Sequence, residues 1–191
     1  MPDPAPPTSR WLVTTEWLAS HLGAGAPDVV VVDGSYYLPA HKRDAAADYI
    51  AGHIPGAVRF DVDDVSDHAQ NLPHMLPSAE AFAAKVGAMG IGDGDTIVVY
   101  DGLGMFSSPR VWWTFRLFGV EKVFILEGGM PKWQAERRPI EAGIATRPPR
   151  KFTARMRGGI VAALPKIQSV LADNSAQVVD AVQLVRLPYH L

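Results

Sequence analysis

The sequence predicts an α/β fold, a parallel sheet with helices on both faces, and two patterns predict it. Val29-Val30-Val31-Val32, Ile97-Val98-Val99-Tyr100 and Val123-Phe124-Ile125-Leu126 are short apolar runs without in–out alternation, as expected of strands buried on both faces. Segments with apolar residues at helical spacing lie between them, and such alternation argues for βαβ units. In sheets of this kind ligands bind beyond the carboxyl ends of the strands. Asp33, Asp61, Asp101 and Glu127 fall at such ends, although short polar residues also serve there simply as turn and cap residues.

In chain order, Thr14 and Thr15 can cap a short helix carrying Trp17, Leu18 and Leu22, ended by Gly23. The run at 29–32 ends in Asp33-Gly34, and residues 36–43 read as a loop. Residues 45–51 read as a helix, His53-Ile54-Pro55-Gly56 as a turn and residues 57–60 as a strand. Residues 61–77 form a long polar connection with four aspartates, two histidines and two prolines, and loops of that length tend to be functional. Ser78 caps a helix that buries Phe82, Val86 and Met89 and closes at Gly90 and Gly92. The strand at 97–100 and a helix at 111–118 follow, then a strand at 122–126, Glu127-Gly128-Gly129, and a helix through Trp133. Residues 137–151, with three prolines, read as an exit segment and linker. Beyond them, an amphipathic helix at 164–171 and a strand at 177–181 ending in Asp180-Ala181 echo the order seen at residues 17–34.

Composition excludes several classes. A chain of 191 residues buries one full core and the beginning of a second. A net charge of −2 argues against a nucleic-acid partner. No apolar run approaches the roughly 18 residues needed to span a bilayer, so no membrane partner is expected. Met1 to Ser9 is proline-rich and lacks the apolar core of a signal peptide, so it reads as a disordered lead-in to a cytoplasmic protein. There is no cysteine, which removes disulfides, thiolate metal sites and cysteine nucleophiles together. Asp61, Asp63, Asp64 and Asp67 lack the glycine and distal glutamate of a calcium loop, and no cofactor is expected.

The stretch from Thr96 to Arg110 holds the most chemistry. A strand, a glycine-rich turn and a helix start, with Ser108 as cap and Pro109 in the first turn, make an anion pocket of free backbone N–H groups. Such a loop suits a thiolate or a phosphate, yet it presents a carboxylate, Asp101.

Asp48-Tyr49-Ile50-Ala51-Gly52-His53-Ile54-Pro55-Gly56-Ala57 resembles the HIPGA signature of rhodanese domains. Phe60-Asp61-Val62-Asp63, His74-Met75-Leu76-Pro77, Tyr100-Asp101, Phe106-Ser107-Ser108-Pro109-Arg110-Val111-Trp112-Trp113 and Glu127-Gly128-Gly129 extend the resemblance, in family order, to the N-terminal half of the tandem thiosulfate and 3-mercaptopyruvate sulfurtransferases. The resemblance covers residues 11–140. It implies a rhodanese-like three-layer α/β/α domain at residues 8–145, which is the inactive copy, a linker at 146–160, and a truncated start of a second copy at 161–191.

In that family the second domain carries a cysteine loop such as C-G-S-G-x-T-A. Its cysteine holds a sulfane sulfur, taken from the small-molecule donor thiosulfate or 3-mercaptopyruvate, as a persulfide and passes it to cyanide or a thiol. Asp101 stands at the equivalent position here and cannot form a persulfide. The mercaptopyruvate branch implies a supporting relay of Asp63 and His74 with a serine of the cysteine loop. The family's pattern D-A/S-R-x-x-G-R-F, whose two arginines hold the substrate carboxylate, meets Asp180-Ala181-Val182-Gln183-Leu184-Val185-Arg186-Leu187, so only Arg186 keeps its place. Agreement stops after Ala181, which suggests a truncation or a change of reading frame. The expectation is therefore a sulfurtransferase by family that transfers no sulfur alone, with self-association through its exposed interdomain face. The alternative is a non-catalytic rhodanese module that binds an anion or a partner protein.

Overall fold

The computed structural model describes residues 9–23, 25–69 and 72–179. They belong to two compact units, the first ending at Arg157 and the second beginning at Gly158.

The first unit is organised around a five-stranded sheet, all parallel, in the order β1-β5-β4-β2-β3. The strands are β1 (Leu12–Val13), β2 (Val29–Asp33), β3 (Val58–Arg59), β4 (Thr96–Tyr100) and β5 (Val123–Leu126). The helices are α1 (Thr15–Gly23), α2 (Ala45–Ala51), α3 (Val62–Val65), α4 (Ala79–Ala88), α5 (Ser108–Leu117) and α6 (Gly129–Ala135). Successive side chains of a strand point to opposite faces, so β2 and β4 feed two cores. Val30, Val32, Ile97 and Val99 pack with Phe82 and Val86 of α4 and Val111 and Phe115 of α5. Val29, Val31, Val98 and Tyr100 pack with Leu18 of α1 and Met130 and Trp133 of α6. Burial on both faces is why these strands read as unbroken apolar runs.

Two of the predicted helices form with the caps their sequences offer. Thr14 Oγ1 accepts the Trp17 N–H (3.1 Å), and the Ser78 hydroxyl accepts the Ala81 N–H (3.1 Å). The HIPG turn is structural: His53 is fully buried, donates Nδ1–H to the Tyr49 carbonyl (2.9 Å) and pairs its backbone with Glu141 (2.8 and 2.9 Å).

Three details differ from expectation. β1, two residues long, is too short to show a period and is recruited by the edge of β5 through Leu12↔Ile125 and Val13↔Leu126. The polar connection contains α3, nucleated when Asp61 Oδ1 accepts the N–H groups of Asp63 and Asp64. The first unit also extends past residue 145, because residues 150–157 dock on it in an extended conformation. The Arg150 N–H bonds the Gly87 carbonyl (2.9 Å), the Arg157 N–H bonds the Leu117 carbonyl (2.8 Å), and the Arg150 guanidinium reaches both Asp95 oxygens at 2.7 Å. Gly87 makes room for this strap, since a Cβ there would lie 2.6 Å from the Arg150 carbonyl oxygen. Pro148 and Pro149 lie immediately before this strap, which itself contains no proline.

The second unit contains α7 (Leu164–Asp173), closed by Asn174 at φ 53°. Residues 177–179 are not in a strand, while Asp180 and Ala181 lie outside the described residues.

Phe82 is the keystone of one core: fully buried, it stacks on Phe118 (4.2 Å) and meets Phe115 (5.5 Å) and Phe152 of the strap (5.8 Å). Phe82→Ala is expected to lower the unfolding free energy by about 3–5 kcal/mol in urea denaturation. A loss below about 1 kcal/mol would contradict this packing.

Candidate functional site

The site lies where β4 ends. Tyr100 is fixed in the core, and its hydroxyl accepts the Ile54 N–H (3.3 Å). The next residue, Asp101, is 1% exposed. The chain then turns through Gly102–Ser107 and enters α5, with Ser107 as the N-cap rather than Ser108. Neighbouring loops hold this turn closely. The Gly102 N–H bonds the Ser35 hydroxyl (2.9 Å), and the Met130 N–H bonds the Asp101 carbonyl (3.0 Å). Gly129 lets α6 approach, because a Cβ there would lie 2.6 Å from the Asp101 carbonyl oxygen.

The anion pocket expected from the sequence exists, but its N–H groups are not free. Asp101 Oδ1 accepts from the N–H groups of Leu103 (2.8 Å), Gly104 (2.8 Å) and Met105 (3.2 Å). Oδ2 accepts from the N–H groups of Ser107 (3.0 Å) and Ser108 (2.8 Å) and from the Ser108 hydroxyl (2.7 Å). The carboxylate therefore caps α5 from outside the helix, at the positive end of its dipole. No Ser107 side-chain hydrogen bond caps α5. Its hydroxyl instead donates to the Gly34 carbonyl (2.8 Å) and accepts the Tyr36 N–H (3.0 Å). Burial pushes the Asp101 carboxyl up, but the Ser108 N–H and hydroxyl, with the N–H groups of Leu103 and Ser107, outweigh it. The net effect holds the group below the usual carboxylate range.

Asp63 and His74, forecast as a pair, are brought together. Asp63 Oδ1 lies 3.1 Å from His74 Nδ1. This nitrogen is buried and makes no hydrogen bond of regular geometry, so the contact is electrostatic and off the bond axis. His74 adopts a left-handed backbone (φ 57°), and its ring meets Tyr36 edge to face (5.1 Å). Its carbonyl accepts a hydrogen bond from Arg110 Nη2 (2.7 Å). His74, Ser107 and Arg110 line a cavity of about 280 Å³ walled by Tyr36, Leu38 and Phe106. The pair and the Asp101 loop thus share one locality through Ser107 and Arg110.

Arg186 lies outside the described residues. Arg110 and Tyr36 carried no assigned role in the sequence, although Arg110 falls inside a matched string; its approach to His74 is a tertiary contact with no local signature. A larger cavity of about 460 Å³ is lined by Asp33, Tyr37, Arg43 and Tyr100. Its arginine is already paired with Asp48 (2.8 Å). Among the described residues no cluster of three or more His, Cys, Asp or Glu side chains could hold a metal, and no helix is long and apolar enough to cross a membrane.

A buried carboxylate ringed by N–H groups at the end of a parallel-sheet strand, beside a His–Asp pair, defines the candidate site of this α/β domain. The rhodanese-like domain model matches residues 14–136, and the chain belongs to that family. It is 38% identical over 175 residues to the 3-mercaptopyruvate sulfurtransferase of Escherichia coli, covering 91% of this chain and 62% of the relative. It is also 38% identical over 195 residues to thiosulfate/3-mercaptopyruvate sulfurtransferase 2 of Arabidopsis thaliana, covering 91% and 56%. The crystal structure of the Escherichia coli 3-mercaptopyruvate sulfurtransferase SseA superposes with a TM-score of 0.83 at 38% identity, covering 88% of this chain and 64% of that one. The chain therefore spans about three fifths of the length of these relatives.

Asp101→Asn places an amide against N–H donors and is expected to cost about 3 kcal/mol at pH 7. Because the folded carboxyl is held low, its contribution is complete above the unfolded value of about 3.9 and is lost as pH falls through the folded one. Urea denaturation across pH should show the gap between wild type and D101N narrowing below about pH 4. A gap that stays constant down to strong acid would contradict this.

Proposed function

We propose that this chain is the nucleophile-free half of a sulfurtransferase of the thiosulfate/3-mercaptopyruvate type. It presents His74 and Asp63 to a cysteine on another rhodanese-like domain and moves no sulfur alone. The observation that carries the proposal is the 3.1 Å approach of Asp63 Oδ1 to His74 Nδ1 beside a loop whose anion donors are already used.

The chemistry follows from the side chains. With the Asp63 carboxylate beside Nδ1, Nε2 is the nitrogen left to exchange a proton, and the carboxylate steadies the imidazolium when it forms. A thiol donor must lose its proton when its sulfur is attacked, or regain one when the carbon product leaves, and a histidine at the cavity wall suits that task. Asp101 forms no persulfide and offers an incoming anion no N–H donor. Leu38 (46%), Met105 (47%) and Phe106 (47%) are exposed apolar residues in the loops around the cavity, the kind of surface a cysteine-bearing domain would cover and through which this chain would self-associate alone. Residues from 161 onward are assigned to the start of a second copy of the domain, with α7 as its first helix.

The chain alone should release no thiocyanate from thiosulfate and cyanide and no pyruvate from 3-mercaptopyruvate; clear turnover would refute the assignment. Residues 9–157 grafted in place of the matching part of the Escherichia coli relative should restore turnover of 3-mercaptopyruvate. In that hybrid His74→Asn is expected to reduce kcat by about 10²–10⁴-fold. Asp63→Asn should give a smaller loss with a displaced pH profile. Full activity in the His74→Asn hybrid would contradict the relay.

A further inference from the structure

The Arg110 side chain makes one hydrogen bond among the described residues, from Nη2 to the His74 carbonyl (2.7 Å). Its guanidinium carbon lies 5.2 Å from the centre of the Trp113 ring. Among the described residues it has no carboxylate partner, whereas Arg43, Arg59, Arg138, Arg150 and Arg157 each have at least one. Desolvation alone holds its pKa below the ordinary arginine value, although the residue remains open to solvent. A guanidinium at a cavity wall with no carboxylate partner is available to an incoming anion. A guanidinium with one N–H committed keeps further donors for a planar two-oxygen acceptor. The same residue lines the cavity of about 280 Å³ that holds His74.

We propose that Arg110 is an anion receptor in this cavity and takes the carboxylate of a small 2-oxo acid, seating the rest of that molecule beside His74. The proposal rests on the sulfurtransferase assignment above and deepens it, because it gives this domain its own hold on the substrate, separate from Arg186. The walls select the ligand class. Tyr36, Leu38, Val62 and Phe106 give an apolar lining with a single permanent cation. A monoanion with a short carbon body fits it. A dianion such as thiosulfate would meet only half the charge it needs and would lose its hydration against apolar walls. The hydrogen bond from Arg110 to the His74 backbone fixes receptor and histidine relative to one another, so a bound carboxylate is placed at a set distance from the imidazole.

The test uses the 191-residue chain, ¹⁵N-labelled, with pyruvate as probe. Pyruvate should produce saturable amide shifts at Phe106, Ser107, Arg110 and His74 with a Kd of about 1 mM. Arg110→Gln should weaken binding about tenfold or more, and Arg110→Lys should recover part of it as a point charge. Absence of saturable shifts in the wild-type chain overturns the proposal without any variant being made. Equal binding by Arg110→Gln overturns it as well, and so does thiosulfate moving the same amides at lower concentration than pyruvate. Asp63→Asn separates this proposal from the relay: it should alter the His74 ring signals while leaving pyruvate affinity within about twofold. Absence of pyruvate binding by the wild-type chain, with the His74 ring signals still responsive to Asp63→Asn, refutes the receptor and leaves the relay standing.

Discussion

Six hydrogen bonds to one buried carboxylate hold the functional end of this domain together. Asp101 draws in the N–H groups of Leu103, Gly104, Met105, Ser107 and Ser108 and the Ser108 hydroxyl. Each donor alone contributes modestly, but they belong to consecutive turns of backbone that have no other partner for these groups. The loop is consequently shaped by its own side chain. That shape fixes where α5 begins, which fixes Ser107 against Gly34 and Tyr36 and Arg110 against the His74 carbonyl. The carboxylate at the end of β4 is thus a structural anchor for the loop that follows it.

The sheet explains why these groups meet. Parallel strands send all their carboxyl ends to one edge, and the loops after β2, β3 and β4 bring Tyr36, Asp63 and Asp101 there from distant parts of the sequence. His74 arrives on a connection with no strand of its own, held at φ 57° by Arg110 and by the Tyr36 ring. Its position is therefore set from within its own connection by Asp63 and the Asp67–Met75 bridge, and from outside it by Arg110 and Tyr36, which links the Asp101 loop to the geometry of the His–Asp pair.

Much of this was legible in the residues. Val29-Val30-Val31-Val32 announced a doubly covered strand because both of its faces are core. Ser78 and Ala45 to Ala51 marked helix positions through local capping and periodicity, which depend on nearest neighbours alone. Asp63 and His74 were paired through motif resemblance, and the structure places them in contact. What escaped was long-range. β1 exists only because β5 offers an edge, the strap at residues 150–157 only because Gly87 and Leu117 offer carbonyls, and Arg110 reaches His74 across 36 positions of sequence. The anion loop was foreseen as open, because no spacing rule says that an aspartate side chain will fold back into the turn that follows it.

The central claim is that Asp101 is an ionised plug, and its own titration tests that most directly. Carboxyl ¹³C chemical shifts of Asp101, followed by NMR as the folded chain is acidified, should show a midpoint clearly below the ordinary aspartate value of about 3.9. A midpoint at or above that value would mean that burial outweighs the N–H donors. The loop would then be held by something other than this carboxylate, and the account of the site would have to be rebuilt from there.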